Sequence, residues 1–561
     1  MPWGAHHSRS STRPIRGSSG TRPTSSDTFA RPRWPIVALV PPNWDPKSEP
    51  ASRPGPTPAR GPTTPSFRKS TAAPTAGSRR ALAIQRSSPS VRSCRYTRRP
   101  TSRPNSTGFD AMRDRARRSL LLAALAPLLL PAAAWALRPP SIVIITADNL
   151  GYGDLGCYGN ESIRTPHLDK LAMQGVRCTD FYTASPTCTV SRASLLTGRY
   201  PQRHRLTNQL PGVEGNYGIG LRHSERLIPQ YLKPLGYDTA CFGKWNIGFA
   251  PGSRPTERGF DEFLGHASGN IDYYTHVYNG KLDLHRGTQP VRLEGYSVDL
   301  FADAACRFIE QHADQPFFVY LPFNSPHFPN PKNKASGVPV EWQAPDSAFA
   351  AYGYEPDTTD ARRRYRAVVT ALDTAIGRVL EQIDAAKLAD DTLVVFFSDN
   401  GAFMLQNRGR EVASNGPLRN GGVTLWEGGI RVPCIVRWPG KLPAGSVCRE
   451  PLLSCDFLPM AVQAAGGTLP DDRPLDGRDP TATLADRAPS PHEALYFQFR
   501  KYSAMRKGRH KIVRTDPREP FQLFDLETDL GETNDLAGER PELVRALAAE
   551  HAAWLESVTR E

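Results

Sequence analysis

The chain has 561 residues, which is enough for one large domain and a smaller one. Its formal net charge of +14 would favour a nucleic-acid-binding protein if the charge were spread along the chain. The excess is confined to residues 1–111, where 19 Lys and Arg face 4 Asp and Glu, whereas the remainder holds 51 against 52. The main part of the chain is therefore nearly neutral, and nucleic acid is not an expected partner.

Residues 1–111 are rich in Ser, Pro, Arg and Thr, with almost no periodic apolar pattern, and they are predicted to be disordered. Residues 112–136 combine four arginines, an apolar run and a small-residue AWA motif, as in an export signal peptide. Because such a peptide normally stands first, we expect translation to begin at Met112, with residues 1–111 as an upstream extension. The alternative is a basic arm that binds nucleic acid or membrane. We expect a periplasmic or secreted protein with no stable membrane span.

The expected mature chain contains eight cysteines. They are too sparse for a disulfide scaffold and show no C-x-x-C spacing typical of zinc sites. The sequence therefore predicts no particular pairing. In chain order they are Cys157, Cys178, Cys188, Cys241, Cys306, Cys434, Cys448 and Cys455.

Four short apolar runs are typical of buried β-strands, and they cover residues 141–148, 238–245, 316–323 and 392–399. Amphipathic, helix-like stretches lie between them, which predicts an α/β domain with a mostly parallel sheet. After about residue 460 the pattern changes to short alternating strands and a closing helix. We therefore expect a large α/β domain over residues 137–460 and a small C-terminal α+β domain with an antiparallel sheet over residues 461–561.

Polar side chains stand at the carboxyl ends of the four predicted strands, the edge at which ligands bind in open α/β sheets. In chain order they are Asp148 and Asn149, Lys244, His327, and Asp399 and Asn400. A single Asp-Asn pair is more often a turn or a helix cap. Two such pairs, each after a strongly apolar run, instead offer four hard oxygen ligands, which predicts a Ca²⁺ or Mg²⁺ site.

The segment SPTCTVSRASLLTGRYPQR, residues 185–203, places a cysteine three residues before Ser191, where a helix is predicted to begin. The free N–H groups of a helix N-terminus attract anions, and Arg192 adds a planar cation suited to an oxyanion. Lys244 would add a second positive charge. A cysteine is usually a small buried apolar residue, but Cys188 stands among groups suited to a tetrahedral ester, either sulfate or phosphate.

The same segment resembles the sulfatase signature, in which the cysteine is oxidised to formylglycine before folding finishes. Further stretches over nearly all of residues 140–550 resemble sulfatase segments in sulfatase order, above all those of arylsulfatases and N-acetylgalactosamine sulfatases. They are ADNLGYGDLGCYG, GYDTACFGKWNIG, RGFDEFLG, FSDNGA, LWEGGIRVPCIVRWPG and LFDLETDLGETNDLA. The resemblance implies an alkaline-phosphatase-like large domain, whose mostly parallel central sheet is flanked by helices, and a small C-terminal α+β domain.

The resemblance also implies a mechanism and its residues. Formylglycine from Cys188 would attack sulfur as its hydrate, release the alcohol and then expel sulfate. Arg192 would support this group, while Lys244 and His327 would contact the sulfate and help the leaving group depart. The implied partners are a formylglycine-generating enzyme and a sulfated small molecule or polysaccharide. One Ca²⁺, with Mg²⁺ as the second choice, would be held by Asp148, Asn149, Cys188, Asp399 and Asn400.

Four positions depart from the sulfatase pattern. Val190 stands where the signature has proline or alanine, which bears on recognition by the modifying enzyme because valine lacks the fixed φ of proline. Asn149 replaces an aspartate, so the metal site loses a negative charge. Asn246 replaces a histidine and removes an acid–base group. Gly422 aligns with a lysine that touches the sulfate, and Arg419 lies near it in sequence.

These departures leave two alternatives open: a sulfatase-like protein that binds sulfated glycans with impaired catalysis, and a phosphoester hydrolase on the same scaffold. The retention of Cys188 together with Arg192 and Lys244 favours an active sulfatase that cleaves a sulfate monoester of a glycan or an aryl ester. The segment NIDYYTH, residues 270–276, is expected near the site. His276 could contact the substrate there or simply pack in the core.

Overall fold

The computed structural model describes residues 138–210, 218, 220–329, 342–404 and 412–560. The predicted disordered segment and the predicted signal peptide lie outside these residues. Within the described ranges, no helix is both long and apolar enough to cross a lipid bilayer.

The described strands are, in chain order, β1 (Ser141–Ala147), β2 (Val176–Cys178), β3 (Phe181–Tyr182), β4 (Asp238–Lys244), β5 (Glu262–His266), β6 (Val277–Tyr278), β7 (Lys281–Leu282), β8 (His285–Arg286), β9 (Gln289–Pro290), β10 (Phe317–Pro322), β11 (Thr392–Ser398), β12 (Cys434–Arg437), β13 (Ser446–Cys448), β14 (Leu452–Leu453), β15 (Leu495–Phe499), β16 (Tyr502–Lys507), β17 (His510–Arg514) and β18 (Gln522–Asp525).

The described α-helices are α1 (Pro166–Gln174), α2 (Cys188–Thr197), α3 (Pro201–His204), α4 (Ile228–Leu232), α5 (Ser297–Gln311), α6 (Asp346–Ala350), α7 (Ala361–Ala385), α8 (Glu427–Ile430), α9 (Phe457–Ala464), α10 (Thr481–Asp486) and α11 (Pro541–Thr559). Short 3₁₀ turns lie at Gly156–Tyr158, Lys233–Leu235, Pro255–Glu257 and Ser454–Asp456.

Ten strands form one large sheet in the order β13-β2-β12-β11-β1-β10-β4-β5-β8-β9. Its central strands β11, β1, β10, β4 and β5 run parallel, while β12 and β8 are antiparallel to their inner neighbours. The four apolar runs of the sequence are β1, β4, β10 and β11. The predicted, mostly parallel α/β sheet is therefore confirmed.

The central strands are apolar along their whole length because both faces of the sheet are covered. Every residue of β1, β10 and β11 is buried. Val143 and Ile145 share one core cluster with residues of α5 and α7, whereas Ile142 and Ile144 belong to a second cluster with residues of α2 and α9. Successive side chains of a strand point to opposite faces, so both sets must be apolar.

The C-terminal part forms its own layer. Strands β15, β16, β17 and β18 pair in that order as an antiparallel sheet, and Trp554 of α11 stacks on Tyr496 of β15 at a ring distance of 4.9 Å. The small α+β domain predicted from the sequence is thus present. The expected boundary between residues 460 and 461 falls inside α9, whose residues pack in the core of the large sheet. We therefore propose that the division lies after this helix.

Candidate active site

The parallel register brings the ends of three strands to one place. Ala147 at the end of β1 pairs with Ser398 at the end of β11, and the neighbouring Thr146 pairs with Pro322 of β10. The next residues are joined by backbone hydrogen bonds, from Asp399 N to Ala147 O at 2.9 Å and from Asp148 N to Ser325 O at 2.9 Å. The two aspartates therefore lie side by side, as the strand-end pattern predicted.

The two Asp-Asn pairs interlock at this edge. Asn149 N donates to Asp399 Oδ1 at 3.1 Å, and Asn400 Nδ2 donates to Asn149 Oδ1 at 2.6 Å. The Cys188 thiol lies 3.3 Å from Asp148 Oδ1 and 3.5 Å from Asn149 Oδ1. Three atoms that can bind a metal, one each from Asp148, Cys188 and Asp399, lie within 4.8 Å of one another. The five residues that the sequence singled out for a metal are thus brought together.

The donor set fits a hard divalent cation. Asn400 Oδ1 is buried and receives no hydrogen bond from any described residue. Leaving a buried carbonyl oxygen without a partner costs free energy, and coordination of a cation would satisfy it. Carboxylate and amide oxygens are the ligands that Ca²⁺ and Mg²⁺ prefer. The arrangement can therefore hold such an ion.

Two buried cations balance the two buried carboxylates. Arg192 contacts Asp399 at 2.6 Å and lies 3.9 Å from Asp148, while Lys244 Nζ contacts Asp148 Oδ2 at 2.6 Å. The exposed fraction of these four side chains is 0–1%. The protein's own charges thus nearly cancel, and buried charges require such pairing. A bound divalent cation would make the site net positive, which suits an anionic ester.

Helix α2 delivers Cys188 and Arg192 to the site. Thr187 is its N-cap in an extended conformation, and Gly198 ends the helix with a positive φ of 66°. All ten helical residues are buried, so the helix lies inside the domain and does not cover its surface. Cys188 is the first helical residue and Arg192 lies one turn later. The helix that the sequence predicted from residue 191 onward therefore begins three residues earlier, at Cys188 itself.

The environment of Cys188 disfavours a free thiolate. Burial and the adjacent Asp148 carboxylate raise the pKa of the Cys188 thiol well above its usual value, and the nearby Lys244 opposes this only in part. A thiol reacts as a nucleophile in its deprotonated form. In the absence of a bound cation, the Cys188 thiol is therefore held in its protonated form.

His327 faces the same site with a defined tautomer. Its Nδ1 lies 2.7 Å from the Phe328 carbonyl oxygen, which can only accept, so Nδ1 carries the proton and donates it. Asn270 Nδ2 donates to the same oxygen at 2.9 Å, and the Tyr273 hydroxyl donates to His327 O at 2.7 Å. Burial and Lys244 lower the pKa of His327 to about 3, so the ring is neutral and Nε2 holds the lone pair.

Asn270 and Tyr273 were missed as functional residues, although the NIDYYTH segment was expected near the site. The only signal was the cluster of aromatic and polar residues in a predicted loop. His276, for which the sequence left substrate contact and core packing equally open, is only 1% exposed, and its backbone N donates to Asp272 O at 3.0 Å. The segment therefore meets the site through the two residues that hold His327.

The side chain of Asn246 is held in a network of hydrogen bonds. Its Oδ1 accepts from Thr189 Oγ1 at 3.0 Å and from Gln209 Nε2 at 3.1 Å. Gln209 Oε1 in turn accepts from Thr189 N at 3.0 Å, one of the first-turn N–H groups of α2. Gln209 was also missed by the sequence analysis. The side-chain amides of Asn246 and Gln209 therefore hold Thr189, the residue that follows Cys188, in position.

Gly422 has no room for a side chain. A Cβ added there would lie 2.1 Å from Phe403 Cδ1 and 2.7 Å from Gly401 O. The Phe403 ring fills this space and stands nearly perpendicular to the His327 ring, with centroids 6.0 Å apart. Arg419 does not turn towards the site: its guanidinium lies 3.7 Å from the Trp426 ring centroid and donates to Glu532 O at 2.6 Å.

Comparison with known proteins agrees with this geometry. Residues 140–467 match the family model described as Sulfatase. The chain is 35% identical to arylsulfatase A of Homo sapiens over 493 residues, which is 77% of this chain and 89% of that protein. It is 32% identical to N-acetylgalactosamine-6-sulfatase of Homo sapiens over 393 residues, which is 67% of this chain and 71% of that protein.

Solved structures show the same relation. The structure of Ps i-CgsB in complex with k-i-k-neocarrahexaose has a TM-score of 0.67 and 30% identity, covering 74% of this chain and 93% of that one. The phosphonate monoester hydrolase of Agrobacterium radiobacter shares the fold, with a TM-score of 0.52 and 21% identity. Because the family model spans more than half of the sequence, the chain belongs to the sulfatase family and is a sulfatase.

Proposed function

We propose that this sulfatase cleaves a sulfate monoester with a formylglycine nucleophile made from Cys188. The observation that carries the proposal is the contact of Cys188 with Asp148, at 3.3 Å, inside a ring of charges that includes Arg192 and Lys244. Without a cation, burial raises the pKa of the Cys188 thiol, so an unmodified cysteine would be protonated there. An oxygen nucleophile produced by modification removes this obstacle.

The proposal includes one divalent cation, Ca²⁺ in preference to Mg²⁺. Its ligands would be Asp148, Asn149, Asp399, Asn400 and residue 188. When bound, the cation supplies positive charge to a sulfate oxygen and lowers the pKa of the nucleophile. Ca²⁺ is preferred because the site offers five protein ligands, whereas Mg²⁺ usually keeps several waters. The partnerless Asn400 Oδ1 supports coordination here.

The remaining residues have distinct proposed roles. Arg192 holds Asp399 and thereby the end of β11, while Lys244 remains near Asp148 and offers its ammonium group to the sulfate. His327 is neutral before the substrate binds. A bound anionic ester would offset the repulsion from Lys244 and favour a protonated ring, which could then donate from Nε2 to the leaving oxygen.

The proposed substrate is a sulfated glycan or an aryl sulfate. Support comes from relatives named for N-acetylgalactosamine-6-sulfate and aryl sulfates, and from the 30% identical Ps i-CgsB solved with an oligosaccharide. An exported enzyme would meet such esters outside the cytoplasm, which is consistent with the proposed signal peptide at residues 112–136. A formylglycine-generating enzyme is the proposed partner in maturation.

The test is the mass of the tryptic peptide 178–192 from protein made in its native host, together with turnover of a chromogenic aryl sulfate. We expect the aldehyde at position 188, seen as a lower mass and as reaction with a hydrazine probe. We also expect Cys188→Ala to lower kcat/KM by about a thousandfold or more, because the nucleophile is lost.

Cys241→Ala is the matched control, since Cys241 is another fully buried cysteine, on β4. Its turnover should remain close to that of the unsubstituted protein. Turnover by protein that carries only unmodified cysteine would refute the formylglycine proposal. An unmodified, inactive protein that binds sulfated glycans would support the alternative of a non-hydrolysing relative.

A further inference from the structure

Three cysteines lie side by side across three neighbouring strands of the large sheet. Cys178 on β2 is the register partner of Cys434 on the antiparallel β12 and of Cys448 on the parallel β13. Register partners on adjacent strands point to the same face, and all three belong to the core cluster on the α2 side of the sheet. All three are free thiols here, and none belongs to the proposed sulfatase site.

Apolar packing alone does not require a row of thiols. A single buried cysteine commonly serves as a small apolar residue. However, two positions further along β2 and β12, the register pair on the same face of the sheet is Val176 and Val436. Valine therefore fills that part of the core. Three cysteines that are register partners on adjacent strands therefore indicate a reaction between their thiols.

The geometry suits a disulfide. Neighbouring strands lie about 4.7–4.9 Å apart, and disulfides span Cα separations of roughly 4.4–6.8 Å. Because Cys178 is the register partner of both Cys434 and Cys448, its side chain lies beside both of theirs. Cys178 is thus the common neighbour, and it can bond to only one of the two.

Tyr158 distinguishes the two possible partners. Its hydroxyl lies 2.7 Å from Cys178 O and 2.9 Å from Cys434 O, and it accepts from Cys434 N at 2.9 Å. The hydroxyl therefore stands between these two backbones and holds them at a set separation. On the other side, β13 is the edge strand of the sheet, and Cys448 is 6% exposed while its two neighbours are 0% exposed. Cys448 is the cysteine that can adjust its position and meet an oxidant.

We propose that Cys178 and Cys448 form a disulfide when the protein matures in an oxidising compartment, and that Cys434 stays reduced. The oxidant is itself a disulfide, either of a small thiol or of an oxidising protein. Before β13 joins the sheet and its cysteine becomes buried, the Cys448 thiolate attacks one sulfur of the oxidant, and the other sulfur leaves as a thiol. The Cys178 thiolate then attacks Cys448 Sγ and releases the second thiol. The protein loses two electrons and two protons, which reduce the oxidant to two thiols.

The bond would secure an edge that borders the active site. Strand β13 leads through β14 to the turn Ser454–Asp456, which packs against α2, the helix that begins at Cys188. A link between residues 178 and 448 also closes a long chain loop, which restricts the unfolded ensemble. The oxidised protein should therefore resist heat better than the reduced protein.

The direct test is peptide mapping of the full chain after export to the periplasm of a bacterial host. Free thiols are blocked with N-ethylmaleimide in denaturant, and digestion proceeds without reduction. Trypsin places the three cysteines on separate peptides, which are residues 178–192, 432–437 and 442–449. Further cleavage by chymotrypsin after Tyr182 separates Cys178 from Cys188. We expect a cross-link between Cys178 and Cys448, with Cys434 blocked. A link to Cys434, or three blocked cysteines, would overturn the proposal.

Thermal unfolding gives a second readout. We expect dithiothreitol to lower the Tm by several degrees, and Cys448→Ala to abolish this difference. Cys434→Ala and Cys455→Ala should keep it, because the first lies in the row but outside the bond and the second is a buried cysteine elsewhere. A difference that disappears with Cys434→Ala and persists with Cys448→Ala contradicts the assignment. Neither outcome depends on formylglycine, which is read at position 188.

Discussion

At the scale of single residues, two of the four departures from the sulfatase pattern, Asn246 and Gly422, are accommodated by contacts with their neighbours. Asn246 takes part in a hydrogen-bond network with Gln209 and Thr189 beside Cys188. Gly422 is required because Phe403 occupies the space above it and packs against His327. A sequence lists such residues separately, and only the fold reveals that one change accompanies another.

The contact of Gly422 with Phe403 predicts a coupling between the two positions. We expect Gly422→Ala to lower the free energy of unfolding by about 1–3 kcal/mol, because the added methyl overlaps the ring and a carbonyl oxygen. Phe403→Ala should recover part of this loss in the double variant. Urea denaturation measures the three values, and Gly538→Ala serves as the control because its added Cβ meets nothing within 4 Å. Fully additive effects would contradict the contact.

At the scale of elements, α2 explains why Val190 can replace proline. Cys188, Thr189 and Val190 form the first turn of the helix, whose N–H groups have no partner within the helix. Proline is tolerated in this turn because it removes a donor that the helix does not use. Val190 is also 1% exposed, so the folded helix hides this segment from any modifying enzyme. Modification before folding is the arrangement that this burial favours.

The first turn of α2 predicts the result of restoring proline. We expect Val190→Pro to leave the Tm within a few degrees of the original and to raise the fraction of Cys188 converted when a formylglycine-generating enzyme is co-expressed. The hydrazine-reactive fraction of peptide 178–192 measures conversion. Ala193→Pro is the contrasting variant, since it removes a helical hydrogen bond and should cost about 3 kcal/mol or more. An equal loss of stability in the two proline variants, or an unchanged fraction of converted Cys188, would contradict this account.

At the scale of the whole molecule, a buried charge cluster joins the C-terminal sheet to the large domain. Lys511 on β17 lies 2.8 Å from both Glu427 of α8 and Glu532, and all three side chains are fully buried. Burial alone would raise the pKa of Glu427, but Lys511 and the neighbouring Arg431 lower it to about 2. Burial raises the pKa of Glu532 above its usual value, and Lys511 opposes this only in part. The lysine is the shared partner of two carboxylates from different parts of the chain.

This cluster predicts a large effect of one substitution. We expect Lys511→Met to lower the free energy of unfolding by about 3–5 kcal/mol, because it leaves the buried Glu532 without a cation and removes one of the two cations in contact with Glu427. Lys507→Met is the matched control: Lys507 pairs with Glu550 at 2.9 Å on the surface, and its loss should cost about 1 kcal/mol or less. Chemical denaturation compares the two variants, and equal losses would show that the buried cluster does not stabilise the junction.

The sequence by itself determined the central strands, the polar residues at their ends and the nucleophile candidate. Apolar runs and local spacing carry this information, since a strand buried on both faces must be apolar along its length. The tertiary structure alone decided how Asp148 meets Asp399, how Asn270 and Tyr273 hold His327, and which cysteines adjoin. These contacts join residues far apart in the chain, and they depend on strand register, which places partners that no local pattern records.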